Sequence, residues 1–248
     1  MTTTLLKNMS WKNFVKSKEG TNLVIIPTGA FEVYGPHLPL GSDALVAVKI
    51  AELVAIKTKA IVGPLMEVGD SSMLDDFPGT ITIRPESFKN YLWDIMTSLK
   101  KWGFTDFLFV NNHVGNVPII DQLSRDLERD ENMRCAQIDY WRFVQTLDEG
   151  IVETEFPHAH ASEAGTAILR YLYPEYCDMS LITDEPPTSS DKFPDVIKYP
   201  KYGDLSKSGT IGHATAGTPE KGKELVERSV NRIVQFLEES WGYSAEDR

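Results

Sequence analysis

Imidazoles, suited to both proton transfer and metal ligation, are scarce in this chain of 248 residues. It has five histidines, His37, His113, His158, His160 and His213, and each falls in an expected loop beside Gly, Pro, Asn or an acidic residue. The first cluster is Glu32-Val33-Tyr34-Gly35-Pro36-His37-Leu38-Pro39-Leu40-Gly41-Ser42-Asp43. Two carboxylates and an imidazole share one loop that Pro36 and Pro39 stiffen. A divalent ion asks for such a set, anionic oxygens and neutral nitrogen held with little freedom to splay. Asp43 could instead cap the helix that follows, since a side-chain oxygen there can accept from a free backbone N–H.

The second cluster, Asn111-Asn112-His113-Val114-Gly115-Asn116, follows a strongly apolar run. His113 could ligate through one ring nitrogen while a neighbour orients the other. The asparagines could hydrogen-bond the turn, which is their commonest role. The third is His158-Ala159-His160-Ala161-Ser162-Glu163. His160 and Glu163, three apart, would share a helical face if the helix begins there. Alternatively Ser162 is an N-cap, with Glu163 in the first turn against the dipole.

Strands alternating with long helices would bring these clusters together. Strands are expected at Leu23–Pro27, Ala60–Pro64, Thr80–Ile83, Asp106–Val110 and 135–138. Helices are expected at Ala44–Lys59, Pro85–Trp102 (ended by Gly103), Pro118–Glu131, Ser162–Leu172 and Pro219–Glu239. Residues 29–43 and 67–80 read as loops, and 183–218, rich in Pro, Gly and Ser, as irregular. The alternation implies an α/β fold with a mostly parallel sheet covered on both faces, as one domain over residues 1–248. Ligands of such folds sit beyond the carboxyl ends of the strands, where the three clusters would converge.

Taken together, the clusters resemble the creatininase family. Gly29, Glu32, Gly35, Pro36, His37, Leu38, Pro39 and Asp43 match the family's first loop. Phe77-Pro78-Gly79-Thr80, the Asn111/His113/Gly115/Asn116 run and His160-Ala161 with Glu163 match further motifs in the same order. Gly209-Thr210-Ile211-Gly212 and Glu220-Lys221-Gly222-Lys223 are similar to the C-terminal segment. The resemblance spans about residues 20–235. It implies a three-layer α/β/α fold, often hexameric, that hydrolyses small and frequently cyclic molecules with one or two divalent ions such as Zn, Mn or Fe.

By direct matching, Glu32, Asp43 and His113 take the places of metal ligands, and His160 and Glu163 that of the catalytic run. Tyr34, His37, Thr80 and Asn116, in the same motifs, are expected to contact substrate. Tyr34 departs from the family, which carries His there; a phenol of pKa about 10 is a poor substitute for imidazole at neutral pH. The second metal position then either loses its ion or uses a phenolate. Gly165 and Ala167 stand where many members have Glu and Ser.

Hydrolysis of an amide C–N bond is the expected reaction. C–C ring opening of a keto-inositol, such as 3-dehydro-scyllo-inosose, is the alternative, because it needs the same carbonyl polarisation. A non-catalytic small-molecule binding protein is the third reading. Net charge −11, from 36 acidic and 25 basic residues, argues against a nucleic-acid or anionic-membrane partner, both of which need clustered Lys and Arg. Cys135 and Cys177 form no CxxC pair, no stretch approaches 18 apolar residues, and the N-terminus has no signal-peptide core. A cytoplasmic homo-oligomer acting on a small molecule is therefore expected.

Overall fold

The computed structural model describes residues 3–187, 192–193 and 195–244. Four parallel strands, β1 (Leu23–Thr28), β2 (Ile61–Val62), β3 (Asp106–Asn111) and β4 (Arg134–Asp139), lie in the order β2-β1-β3-β4. Eight α-helices connect and cover them among the described residues: α1 (Trp11–Lys18), α2 (Ser42–Thr58), α3 (Pro85–Lys100), α4 (Val117–Glu131), α5 (Tyr140–Gln145), α6 (Glu163–Leu172), α7 (Tyr202–Leu205) and α8 (Pro219–Trp241). No helix among the described residues is long and apolar enough to cross a membrane.

Every residue of β1 and β3 is buried, because alternate side chains enter two different cores. Leu23, Ile25, Leu108 and Val110 meet Val46, Ile50 and Val54 of α2, Ile168 of α6 and Ile233 of α8. Val24, Ile26, Phe107 and Phe109 meet Phe88, Leu92 and Met96 of α3 and Leu123 and Leu127 of α4. Each such side chain contributes roughly 1.5–3 kcal/mol on full burial, and together the two cores make the three-layer α/β/α arrangement. Pairing Thr28 with Asn111 and Asn111 with Asp139 ends β1, β3 and β4 at one edge. The loops that follow all open there.

Most expected elements are present with ends displaced by a residue or two. Thr80–Ile83 is not a strand: a single antiparallel bridge joins Ile81 to Phe31. Side chains replace a ladder, with Thr80 Oγ1 accepting from Val33 N (3.1 Å) and Thr82 Oγ1 from Ser71 N (3.0 Å). Two helices were not expected. α1 is capped by Ser10, whose side chain accepts from Asn13 N, and α5 starts directly where β4 ends. The irregular reading of 183–218 holds for most of the tract, apart from the single-turn α7 and a 3-10 turn at Ala214–Ala216. Residues 188–191 and 194 lie outside the described residues.

Glu163, expected beside His160 in the catalytic run, lies away from the cavity that His160 lines and is held in a structural network. It is fully buried at the start of α6, and Ser162 makes no cap there, its Oγ accepting instead from His213 N. The Glu163 carboxylate accepts from Glu153 N (3.0 Å), Thr154 N (2.9 Å), Thr154 Oγ1 (2.7 Å) and Lys221 Nζ (2.7 Å). It thus ties the loop at 153–154 and the first turn of α8 to α6, with both oxygens consumed. Burial alone would raise its pKa; Lys221, Thr154 and the two backbone amides outweigh that and hold it below its ordinary value.

α6 and α8 cross at close range. A Cβ on Gly222 would stand 2.0 Å from the Ala167 carbonyl oxygen and 2.4 Å from its carbon, both backbone atoms. Gly222→Ala must push the helices apart, and overpacking of this kind costs about 1–3 kcal/mol. A chemical denaturation curve will show the midpoint fall, with activity per folded molecule retained. Glu163→Gln removes the buried carboxylate partner of Lys221, leaving it only Glu153 (3.1 Å) and the Ala216 carbonyl (3.2 Å), and should cost about 3 kcal/mol at pH 7. Because folding lowers this pKa, the unfolded chain binds the proton more readily. The anchor therefore stabilises fully above the unfolded carboxylate value and is lost as pH falls through the lower folded one. Melting temperatures of parent and variant will differ at pH 7 and converge in acid.

Candidate metal centre and its cavity

Glu32, Asp43 and His113 come from three separate segments and meet at the sheet edge. One ligand atom from each lies within 4.8 Å of the others, and all three residues are buried. His113 Nδ1 stands 3.4 Å from Glu32 Oε2 and 3.3 Å from Asp43 Oδ2. Its Nε2–H donates to the Asp70 carbonyl at 2.7 Å, which turns Nδ1 toward the carboxylates. That is the outer hydrogen bond that fixes tautomer and ring angle in histidine ligands.

The ligands are held by partners that carry no obvious signature. Ser71 Oγ donates to Glu32 Oε2 at 2.6 Å, and Trp141 Nε1 donates to Asp43 Oδ1 at 3.1 Å. Gly115 lets the Asp70 carbonyl reach His113, since a Cβ there would stand 2.1 Å from that oxygen. Asp43 is not an N-cap: Gly41 holds that position on α2 and Asp43 lies within the first turn. Ser71, Trp141 and the Asp70 carbonyl were missed in the sequence. The only available signal was that each lies in a loop or helix start just past a strand.

Electrostatics mark the trio as a cation site. Burial lifts Asp43 to about 6, with Glu32 adding to the rise and His113 opposing it. Burial also pushes Glu32 up, but His113, His160 and Ser71 outweigh it and leave Glu32 below its ordinary value. His113 is driven well above its ordinary value: burial opposes the proton, and Glu32 and Asp43 more than compensate. A positive charge between the two carboxylates is what this geometry favours, and a divalent ion would supply it in place of the proton. Two carboxylates and one imidazole suit Mn, Zn or Fe.

The trio opens into a cavity of about 630 Å³, in the range that holds small molecules and cofactors. Tyr34 and His160 line it, with ring centroids 4.6 Å apart, and Trp141 and Tyr202 extend the aromatic wall. Met73, Leu74, Val114, Ile197 and Ile211 add apolar surface. Tyr34 is buried against Gly165, where a Cβ would come within 3.1 Å of the phenol oxygen. Burial first, then Asp43 and Glu32, drive its pKa well above 10, so it is a neutral hydroxyl. His160 donates from Nε2–H to the Val33 carbonyl at 2.7 Å, leaving Nδ1 as its free nitrogen.

Three residues expected to contact substrate hold the loops instead. His37 Nε2 pairs with Thr166 Oγ1 at 2.9 Å, fixing the first loop to α6. Burial lowers its pKa to about 4, so it stays neutral. Thr80 supports Val33 through the contact already described. Asn116 donates to the Gly29 carbonyl at 2.9 Å and accepts from Asp70 N at 3.1 Å. None of these three lines the cavity, and neither does Glu163. The first two clusters thus supply the trio, and the third supplies His160 to the cavity wall.

The family profile for creatinine amidohydrolase, Creatininase, matches residues 7–237. A creatinine amidohydrolase of Pseudomonas putida is 25% identical over 256 residues, covering 94% of this chain and 95% of the relative. A 3-dehydro-scyllo-inosose hydrolase of Thermotoga maritima is 25% identical over 263 residues, covering 93% and 81%. A solved structure described as creatininase Mn superposes with a TM-score of 0.83 at 22% identity, over 96% of this chain and 98% of that one. With the profile spanning nearly its whole length and a buried Glu/Asp/His trio at the strand ends, this chain belongs to the creatininase family of metal-dependent hydrolases.

Proposed function

We propose that this chain, acting as one hydrolase domain, cleaves an amide C–N bond in a small cyclic molecule with a single divalent ion held by Glu32, Asp43 and His113. The observation that carries the reading is the buried trio with the His113 tautomer fixed from behind. A bound ion would supply Lewis-acid polarisation of the carbonyl and lower the pKa of water toward neutrality. Mn, Zn and Fe all fit the donor set.

One ion, not two, is favoured by what surrounds the trio. Tyr34 presents a neutral phenol, and Gly115 and Gly165 present no side chain. Among the described residues no other group of three His, Cys, Asp or Glu side chains converges in this way.

His160 is the residue assigned to proton transfer. Its Nε2–H is tied to Val33, its Nδ1 is free, and its ring lies against Tyr34 in the cavity that the trio opens into. It would accept the proton of the attacking water and return it to the leaving nitrogen as the C–N bond breaks. Tyr34, against the His160 ring, offers a hydroxyl to the substrate. The aromatic and aliphatic wall favours an amide with an apolar body over a keto-inositol, whose hydroxyls would need many polar partners. A homo-oligomer, hexameric as the resemblance implies, and a cytoplasmic setting suited to the free Cys135 and Cys177 complete the reading.

Purified from metal-replete growth, the protein should carry about one ion per chain by elemental analysis, and Asp43→Asn or His113→Ala should strip it. Chelation should abolish ring opening across a panel of cyclic amides, and Mn²⁺ or Zn²⁺ should restore it. Parent protein without metal would favour the non-catalytic binding reading. His160→Ala should keep the metal and lose about 10²-fold or more in turnover. Folded, metal-loaded variant with parental turnover would remove His160 from the mechanism.

A further inference from the structure

Buried polar side chains in folded proteins are as a rule paired. Asn112 is an exception inside the cavity. It is fully buried, neither Oδ1 nor Nδ2 has a hydrogen-bond partner, and the residue lines the cavity directly beside the ligand His113. Its neighbours show the contrast. Asn111 donates to the His113 carbonyl (2.8 Å) and accepts from Thr28 Oγ1 (2.9 Å), and Asn116 is likewise consumed. Asn111 turns toward those supports, whereas Asn112, the first residue past β3, lines the cavity. His158 is the other cavity-lining residue with an unpartnered buried atom: its Nε2–H is held by Asp148 Oδ2 at 2.5 Å, and Nδ1 is left as an acceptor.

A buried amide without partners is costly to the folded state, and a ligand can satisfy it. An asparagine offers one donor and one acceptor side by side. The matching ligand feature is a cis-amide edge, an N–H and a C=O on adjacent atoms of a ring, as in lactams, ureides and imides. A lactone, a ketone or an N-alkylated ring lacks the N–H. We propose that Asn112 is the specificity residue of this cavity, reading the N–H/C=O edge of a cyclic amide or ureide beside the metal trio. This rests on the amide-hydrolase reading and narrows it to a substrate class.

The test uses metal-loaded protein and four probes: hydantoin, 1,3-dimethylhydantoin, 2-pyrrolidinone and γ-butyrolactone. By calorimetry or competition, the parent should bind hydantoin and 2-pyrrolidinone at least about tenfold tighter than their counterparts without the N–H, because a polar site rejects an analogue that leaves it unpaired. Asn112→Leu, near-isosteric and apolar, should erase that preference while its melting temperature holds or rises, since an orphaned polar group has been removed. Asn112→Ala gives the same comparison with less volume should Leu not fit. A merely structural Asn112 would give the opposite pattern, a lower melting temperature with the preference intact, and would overturn the proposal. A parent that binds the lactone or the dimethyl compound as well as the N–H probes, or binds none of the four, would overturn it too. Metal content measured on the same samples separates these failures from failure of the metal-dependent reading itself.

Discussion

Two carboxylates buried within reach of each other repel, and water is not there to screen them. Glu32 and Asp43 occupy that position in this protein, with only the His113 imidazole between them. The rest of the site follows from this constraint. The arrangement suits a cation, and the oxygens left over find partners of their own. Ser71 takes a Glu32 oxygen, Trp141 takes an Asp43 oxygen, and the Asp70 carbonyl holds the far side of the imidazole. The three anchors come from different segments, so the centre depends on the relative placement of β1, α2, β3 and α5.

The parallel sheet supplies that placement. Thr28, Asn111 and Asp139 lie in register at one edge, and the loops beyond them are stiffened by side chains. His37 reaches α6, Thr80 reaches Val33, and Asn116 joins the first loop to the turn at Asp70. These residues belong to the same motifs as the ligands because a ligand held by a loose loop would lose its geometry. Motif membership therefore selects both chemical and supporting residues, and sequence spacing does not separate them. Glu163 is the clearest instance. Its acidic side chain, three residues from His160, suited a proton shuttle, yet its oxygens serve Glu153, Thr154 and Lys221.

A few positions around the trio shape the cavity. Among the described residues no second group of three His, Cys, Asp or Glu side chains converges beside Glu32, Asp43 and His113. The Tyr34 ring fits because residue 165 has no side chain to oppose it. The space that results is walled by aromatic and aliphatic groups, with Asn112 and His158 as its unpaired polar features. A common carbonyl-activating centre can in this way face substrates of quite different polarity.

The sequence by itself determined the layered α/β architecture, because apolar runs of strand length alternate with helical periodicity and bury both faces of a sheet. It also named the candidate ligands, since Glu32, Asp43 and His113 stand in the polar segments that follow the apolar runs of β1 and β3. Only the tertiary structure decided which motif residues face the cavity. Glu163 is turned away by partners 9, 10 and 58 residues distant, and the Asp70 carbonyl that orients His113 is a backbone atom that any residue could provide. Whether Asn112 is paired depends on what stands opposite it just past the end of β3. Such contacts between distant segments leave no local periodicity or spacing to read, because they are fixed only when the layers pack.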